Sequence, residues 1–543
     1  MGAGVEMPSC ISITVSRSHV SLASTSTIIF VEPHTSLSDI LLPHVVFSAL
    51  YNADVKDGEH AVTCQPETQT KVLQDIRSWA DNPTTTPMCW LSGPAGTGKS
   101  TVARTIAEEY DKRGQLAATF FFWRNTDRAD INKLVPTLAW QIAHDSKILP
   151  ANEQMEKALE KALKTRVPLH ELSLENQLST LLVRGLAAHV DPTGPNLIVI
   201  DGLDECASQD RIIRLIDWLR KNRLPFRFLL TSRPEPDIRA RFEYRPGGGL
   251  IEVRSLSLTE SKDDIRKYIV EELEKIRQDR RRFRLPSNWP PKPYIDELVK
   301  KSEGLFVYAA TAIRYIRGKG SPQTLLKDVL KVHDGLDPLY SQVIREAKEW
   351  KYFDIVMGAL MHLQYPLPIN NFSQVLFDVN KPLEVHNILS ALGGCHSILV
   401  IPEDDTKEII PYHASLRDFL TDQLRSNDLF YTPAMSHAQL MLGCLQAITR
   451  AFIDGSHAPE YALISWHHHA CLVLSAPGTR EGLGELTDEV MELIQKINLK
   501  WLKSWMTEAL CWAGVPYLTM KLPLQKVREG GGGECHINIE THH

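Results

Sequence analysis

At 543 residues, 43% hydrophobic and 23% charged, the sequence excludes a disordered or fibrous chain and leaves room for about three to four domains. Its 60 basic and 66 acidic side chains give a net charge of −6, so no overall basic footprint exists and nucleic acid is not an expected partner. The 9 cysteines, scattered from Cys10 to Cys535 without a CxxC pair, fit reduced thiols in the cytoplasm rather than a disulfide framework.

Residues 1–60 are rich in Ser, Thr, Val and Ile without a clear period, and a variable or poorly ordered extension is expected there. Their longest apolar run, IIFVEPHTSLSDILLPHVVFSAL, is interrupted by Glu32, Pro33, His34, Asp39 and Pro43. Between those interruptions no apolar stretch reaches the roughly 18 residues a membrane span needs. The start has neither the charged head nor the clean apolar core of a signal peptide, and Glu6 stands where a myristoylation signal has Ser or Thr.

A lead-in helix is expected within 61–83, where Val72, Leu73, Ile76 and Trp79 recur at helical spacing before Asn82-Pro83. Five apolar runs follow: MCWLSG, LAATFFFW, NLIVIDG, FRFLLTSR and LIEVRSL. Each has the length of a buried strand and helical stretches separate them, which predicts a parallel sheet covered on both faces over 84–256. Helical patterns over 257–345 predict a small helical domain. Three helices and a hairpin, HSILVIPEDDTKEIIPYH, predict a winged-helix domain over 346–432. A helical region over 433–525 and a flexible, glycine-rich tail over 526–543 complete the expected order.

Gly93-Pro94-Ala95-Gly96-Thr97-Gly98-Lys99-Ser100 matches the phosphate-binding pattern G-x-x-x-x-G-K-[ST] in full. Glycines let backbone N–H groups turn inward around phosphate oxygens, and a helix beginning near Gly98 aims its positive end at them. Lys99 can reach the β and γ phosphates and the Ser100 hydroxyl can ligate Mg²⁺; with Thr101 these residues form the expected nucleotide-binding set. In NLIVIDGLDECAS an apolar strand ends in Asp201, the expected second Mg²⁺ residue, and Asp204 or Glu205 is placed to orient an attacking water. In FRFLLTSRPE, Arg233 ends another strand on the edge where such sheets bind ligands, and can sense a γ phosphate. The alternative for Arg233 is a surface residue capping the next helix.

Together GPAGTGKS, LIVIDGLDE and LLTSRPE resemble the NACHT family of signal-transduction NTPases of the STAND type, nearest its fungal branch. TCQPETQTKVLQDIRSW, KSEGLFVYAATAI and IPYHASLRDFL resemble further segments of those proteins, and the likeness spans about residues 60–470. It implies a nucleotide-binding α/β domain, a small helical domain, a winged helix and further helices. It also implies a switch that holds ADP when closed, exchanges it for ATP, and opens to form a homo-oligomer that signals to a downstream partner. Which trigger acts, and whether ATP or GTP is used, the resemblance leaves open. His413 of Tyr412-His413-Ala414 resembles the winged-helix histidine that touches the ADP β phosphate in related proteins, with Ala414 in place of that motif's acid. Gly304-Leu305 resembles the start of a GLPL-type motif, but Phe306 replaces its proline. The family's C-terminal repeat sensor is not visible after residue 470, so a fragment and a partner-borne sensor both stand.

Other signals point elsewhere less strongly. RQDRRRFR, from Arg277 to Arg284, reads as a solvated connector. His467, His468 and His469 project in different directions from a helix, which disfavours a shared zinc, and His536, His542 and His543 fall in the tail. Cys206 lacks a base partner for nucleophilic work. Two competing functions remain: a P-loop ATPase with steady turnover, and a truncated nucleotide-binding scaffold.

Overall fold

The computed structural model describes residues 41–53, 63–124, 126–144, 169, 172–187, 190, 194, 196–243, 251–256, 261–279, 283–378 and 381–475. The glycine-rich tail, its histidines and the greater part of the N-terminal extension lie outside these residues.

The five apolar runs form β1 (Met88–Ser92), β2 (Leu116–Phe121), β3 (Leu197–Asp201), β4 (Arg227–Ser232) and β5 (Ile251–Ser255). All pairings are parallel, in the order β2-β3-β4-β1-β5. Helices cover both faces, which explains why β1 to β4 read as near-continuous apolar runs, whereas β5 at the sheet edge alternates Ile251 and Val253 with Glu252 and Arg254. Met88 and Trp90 of β1 enter one core with α3 (Leu134–His144) and α4 (Gln209–Lys221). Cys89 and Leu91 enter the other with α1 (Thr70–Asp81) and α2 (Lys99–Lys112). With the glycine-rich loop joining β1 to α2, this is the predicted α/β P-loop NTPase fold. A short helix α5 (Pro236–Glu243) links β4 to β5 and stacks Phe242 on Trp90, ring centroids 4.5 Å apart.

Residues 41–53, expected within a poorly ordered extension, instead pack on this domain. Leu41, Val46 and Ala49 join the core beside α3, and Tyr51 donates its hydroxyl to Asp111 at 2.8 Å and its backbone N–H to Thr119 at 3.0 Å. Leu41, Val46 and Ala49 lie five and three residues apart among other apolar side chains, with no helical or strand period, so the sequence hides this docking.

Helices α6 (Ser261–Asp279), α7 (Lys292–Lys301), α8 (Phe306–Arg317), α9 (Pro322–Lys331) and α10 (Leu336–Ala347) follow. Proline opens α9 at its first helical position, where a missing N–H costs nothing. Then come α11 (Phe353–His362), α12 (Ile369–Gln374) and α13 (Val385–Leu392), the last begun by a capping box between Glu384 and Asn387. Strands β6 (Leu399–Val400) and β7 (Ile410–Pro411) pair antiparallel around the acidic turn, as the hairpin pattern predicts, and deliver the chain into α14 (Ser415–Leu420). Helices α15 (Pro433–Asp454) and α16 (Glu460–Ser475) pack against each other. No helix among the described residues is long and apolar enough to cross a membrane.

Histidines meet where α11, α15 and α16 join. The Nδ1 atoms of His437 and His469 share a hydrogen bond of 2.8 Å, Tyr461 pairs with His469 Nε2 at 2.8 Å, and the His362 ring lies 5.2 Å from that of His437. Burial lowers His362 to about 4 and His437 and His469 to about 3, with the neighbouring imidazoles adding to the effect on the last two. An unfolded chain binds these protons near pH ~6.5. The folded state therefore keeps this contribution in full above pH ~6.5 and loses it as pH falls toward 4. The melting temperature should decline between pH 7 and pH 5, ahead of bulk carboxylate protonation. In a His437→Gln/His469→Gln variant that slope should flatten; an unchanged slope would acquit the cluster.

Candidate functional site

The glycine-rich loop leaves β1 at Ser92 and enters α2 at Lys99, with Gly96 at φ 78° and Gly98 at φ 96°. Both angles lie in the left-handed region that residues with a Cβ avoid. Thr97 donates its hydroxyl to the Pro94 carbonyl at 3.0 Å, closing the turn. Among the described residues, the backbone N–H groups from Gly96 to Ser100 have no protein acceptor. A curl of free N–H donors at the start of a 14-residue helix is a concentrated anion-binding surface. The Lys99 ammonium donates to the Gly93 carbonyl at 2.8 Å and the Pro94 carbonyl at 2.9 Å, so its charge lies along the loop. Burial lowers its pKa, and Asp204 and Asp201 oppose that shift.

Helix α8 backs the loop. The Val307 N–H donates to the Gly96 carbonyl at 3.1 Å, and a Cβ built on Gly96 would sit 2.2 Å from Val307 Cγ1. The segment beginning with Gly304-Leu305 therefore contacts the loop directly although Phe306 replaces the motif's proline. Near its other end α8 lays Arg314 over the Tyr412 ring at 3.8 Å and donates from Arg314 to the Ser397 carbonyl at 3.3 Å.

Asp201 ends β3 fully inside the protein, accepting hydrogen bonds from the hydroxyls of Thr231 on β4 and Ser100 on α2. Burial raises its pKa and these two hydroxyls oppose the rise. Ser100 and Asp201, expected to share a metal ion, are thus adjacent. Gly202, at φ 74°, turns the chain so that Asp204 and Glu205 follow at the strand's carboxyl end. Glu205 is pushed up to about 7, first by burial and then by the Asp204 charge, while the Arg124 backbone N–H it accepts at 3.2 Å partly offsets both.

Arg233 does not cap the following helix. Its backbone N–H and its Nε both reach Asp204, at 2.8 and 3.1 Å, and its Nη2 lies 2.8 Å from Asp418 of α14. Arg124, just past β2, places Nη1 3.4 Å from Asp418 and donates Nη2 to the Asp204 carbonyl at 3.0 Å. Two arginines from two strand ends thus converge on one carboxylate from the C-terminal helices. Sequence reasoning assigned no role to Arg124 or Asp418. The available signal was that Arg124, like Arg233, directly follows an apolar strand run.

His413 follows β7 and faces the same edge. Its Nδ1 accepts the Ser415 backbone N–H at 3.1 Å and the Ser415 hydroxyl at 2.7 Å, and Tyr340 lies 2.9 Å from that hydroxyl. With Nδ1 accepting, the ring proton of the neutral imidazole is on Nε2, a donor. Burial lowers His413 to about 4, and the nearby Arg233 and Lys99 charges push the same way. Ala414 forms part of a small cavity between Trp123, Arg124, Pro411 and Arg417 rather than a polar contact. Cys206 is buried and its thiol is pushed up to about 11, which disfavours a thiolate.

The sequence model of a family described as Nephrocystin 3, N-terminal, matches residues 63–233, which include the loop, Asp201, Asp204, Glu205 and Arg233. A cytidylate kinase of Clostridium acetobutylicum is 27% identical over 165 residues, covering 28% of this chain and 68% of the kinase. Among solved structures, the chain is similar to a STAND protein with a tetratricopeptide repeat sensor from Pyrococcus horikoshii, at 12% identity and a TM-score of 0.36, over 84% of this chain and 60% of that one. It is also similar to the Orc1 protein of Aeropyrum pernix in complex with DNA, at 13% identity and a TM-score of 0.30, over 69% and 97% of the two chains. At these scores neither likeness extends to the whole architecture.

The close approach of α8 gives a prediction. Gly96→Ala combines a left-handed backbone with the Val307 overlap and should destabilise the protein by about 1–3 kcal/mol, read as a lowered melting temperature. Adding Val307→Ala should recover the steric share only. A Gly96→Ala protein as stable as its parent would contradict the contact.

Proposed function

We propose that this protein is a nucleotide-operated switch of the STAND type, with a slow NTPase site that the C-terminal helices hold closed. The ion pairs joining Arg233 and Arg124 to Asp418 carry this reading. An arginine free to report a γ phosphate would point into the site; Arg233 is instead occupied by two carboxylates, one of them contributed by α14.

The donor set fits a nucleotide and Mg²⁺. The loop N–H groups and Lys99 bind phosphate oxygens, while Gly93, Pro94, Ala95, Gly96, Thr97, Gly98 and Thr101 shape the cradle. Ser100 and Asp201, already hydrogen-bonded to each other, hold the metal. A bound Mg²⁺ supplies charge neutralisation at the phosphate oxygens. Glu205 is the base that takes a proton from the attacking water, with Asp204 holding Arg233 beside it. His413, neutral and donating from Nε2, holds a diphosphate in the closed state. Similarity to a cytidylate kinase supports nucleotide binding; ATP or GTP is the expected nucleotide. We read residues 346–432 as the winged helix, and the signalling role in fungal self/non-self recognition or innate-type defence rests on the NACHT resemblance of the quoted motifs. Activation by an unidentified trigger would part α14 from the β4 edge and permit self-association.

A steady-turnover ATPase is the second reading. Its support is Glu205, whose elevated pKa poises it to take a proton near neutrality.

Two experiments separate these. Protein purified without added nucleotide, then denatured, should release near-stoichiometric ADP or GDP. Lys99→Ala should release none, and Asp418→Ala should exchange its nucleotide at least tenfold faster than the parent. Empty parent protein that turns over ATP rapidly would favour the second reading. Hydrolysis should also depend on Glu205 ionisation: activity present above pH ~7 and lost as pH falls through it. Glu205→Gln should bind triphosphate but not cleave it, and equal hydrolysis by variant and parent would remove the assignment.

A further inference from the structure

Helix α14 carries two adjacent charges with opposite fates. Asp418 meets Arg233 and Arg124. Arg417 forms no ion pair among the described residues, and its guanidinium makes one hydrogen bond, from Nη2 to the Leu360 carbonyl at 3.3 Å. A guanidinium presents several N–H donors in a planar fork, so most of this one's donors have no protein acceptor. Burial lowers Arg417 to about 10, and the Arg124 charge adds to the fall while Asp418 only partly offsets it. Charges withdrawn from water are ordinarily paired, and this one lacks its counter-charge.

Arg417 lines the cavity that Ala414 borders. Trp123 and Arg124, just past β2, form one wall, and Leu360 of α11 and Ile409 beside β7 form the other. The two sides of the contact between the α/β domain and α14 thus supply one guanidinium each. Asp418 also borders the cavity, but its charge is already taken up by Arg233 and Arg124. The cavity encloses about 40 Å³. Since a water-sized group needs roughly 10–15 Å³ by this measure, about three such groups fit.

We infer that this cavity binds the carboxylate of a small organic acid between Arg124 and Arg417, with the acid's apolar remainder against Trp123, Leu360 and Ile409. A carboxylate is a planar group of the size the cavity holds, and guanidinium forks match its two oxygens. A phosphate is larger, and some of its oxygens would be pressed onto apolar walls without donors. The ligand supplies Arg417 with the missing counter-charge and removes the repulsion between two guanidiniums facing each other across the contact. It therefore strengthens the hold of α14 on the strand ends. Its effect on nucleotide exchange rests on the closed-state reading above; the binding itself does not.

The test adds butyrate to the full-length protein at constant ionic strength and reads the melting temperature. Butyrate should raise it, as a ligand of the folded state does. Butyramide, of the same shape without the charge, and inorganic phosphate should leave it unchanged. Arg417→Gln should lose the response to butyrate. So should Ala414→Leu, which fills the cavity while keeping both arginines, and which decides alone if Arg417→Gln does not fold. In the parent, butyrate should also slow the release of bound ADP about fivefold, the low end of ordinary coupling between two sites. A parent indifferent to butyrate, an equal response to butyramide or phosphate, or a response that survives in Ala414→Leu would overturn the inference. Butyrate that binds but leaves ADP release unchanged would overturn the link to α14. A parent that responds to butyrate yet holds no nucleotide would overturn the nucleotide reading and leave the carboxylate site standing.

Discussion

The arrangement turns on one partly buried guanidinium. Arg233 is withdrawn from water at the end of β4 and held between Asp204 and Asp418, with Arg124 sharing the second carboxylate. A charge in this position cannot remain alone: removing one partner of a desolvated pair leaves the other exposed to the full cost of its burial. The α/β domain therefore depends on α14 for its own electrostatic balance at the edge where its chemistry would occur. The coupling is reciprocal, since Asp418 loses both of its ion pairs if the two strand ends move away from it.

The same balance sets the state of His413. Lys99 and Arg233 make a second positive charge unwelcome, and Ser415 takes the Nδ1 lone pair, so the ring stays neutral with its proton on Nε2. A neutral donor contacts a phosphate through a directed hydrogen bond instead of a long-range charge. Such a contact is sensitive to position and forgiving of salt. Glu205 is treated in the opposite way: burial and Asp204 hold its proton on, and one backbone N–H keeps it within reach of neutrality.

The sheet and its loop were legible because their signals are local. The runs of β1 to β4 have the length and apolar density of strands buried on both faces, and Gly96 and Gly98 of the loop fall where φ is positive. Asp201 and Ser100 could be paired because each belongs to a recognisable motif, the apolar strand ending in an acid and the phosphate loop, whose roles in such a fold are linked. Contacts between segments far apart in sequence were not legible. Arg124 and Asp418 are 294 residues apart and carry no shared pattern. The docking of residues 41–53 escaped for a related reason, since three buried apolar side chains on irregular backbone have no period to detect.

Helix α8 begins on the Gly96 carbonyl and, two turns later, presses Arg314 onto Tyr412, the residue before His413. A hydrogen-bonded helix of this length behaves as a stiff rod, since shortening or bending it breaks its own ladder. The loop and the hairpin are thus the two bearings of a single strut. Whatever reshapes the curl of N–H groups at Gly96 displaces one bearing, and the rod transmits that displacement to the other without an intervening soft element. The distance between phosphate cradle and histidine is in this sense a fixed gauge, cut to the length of α8.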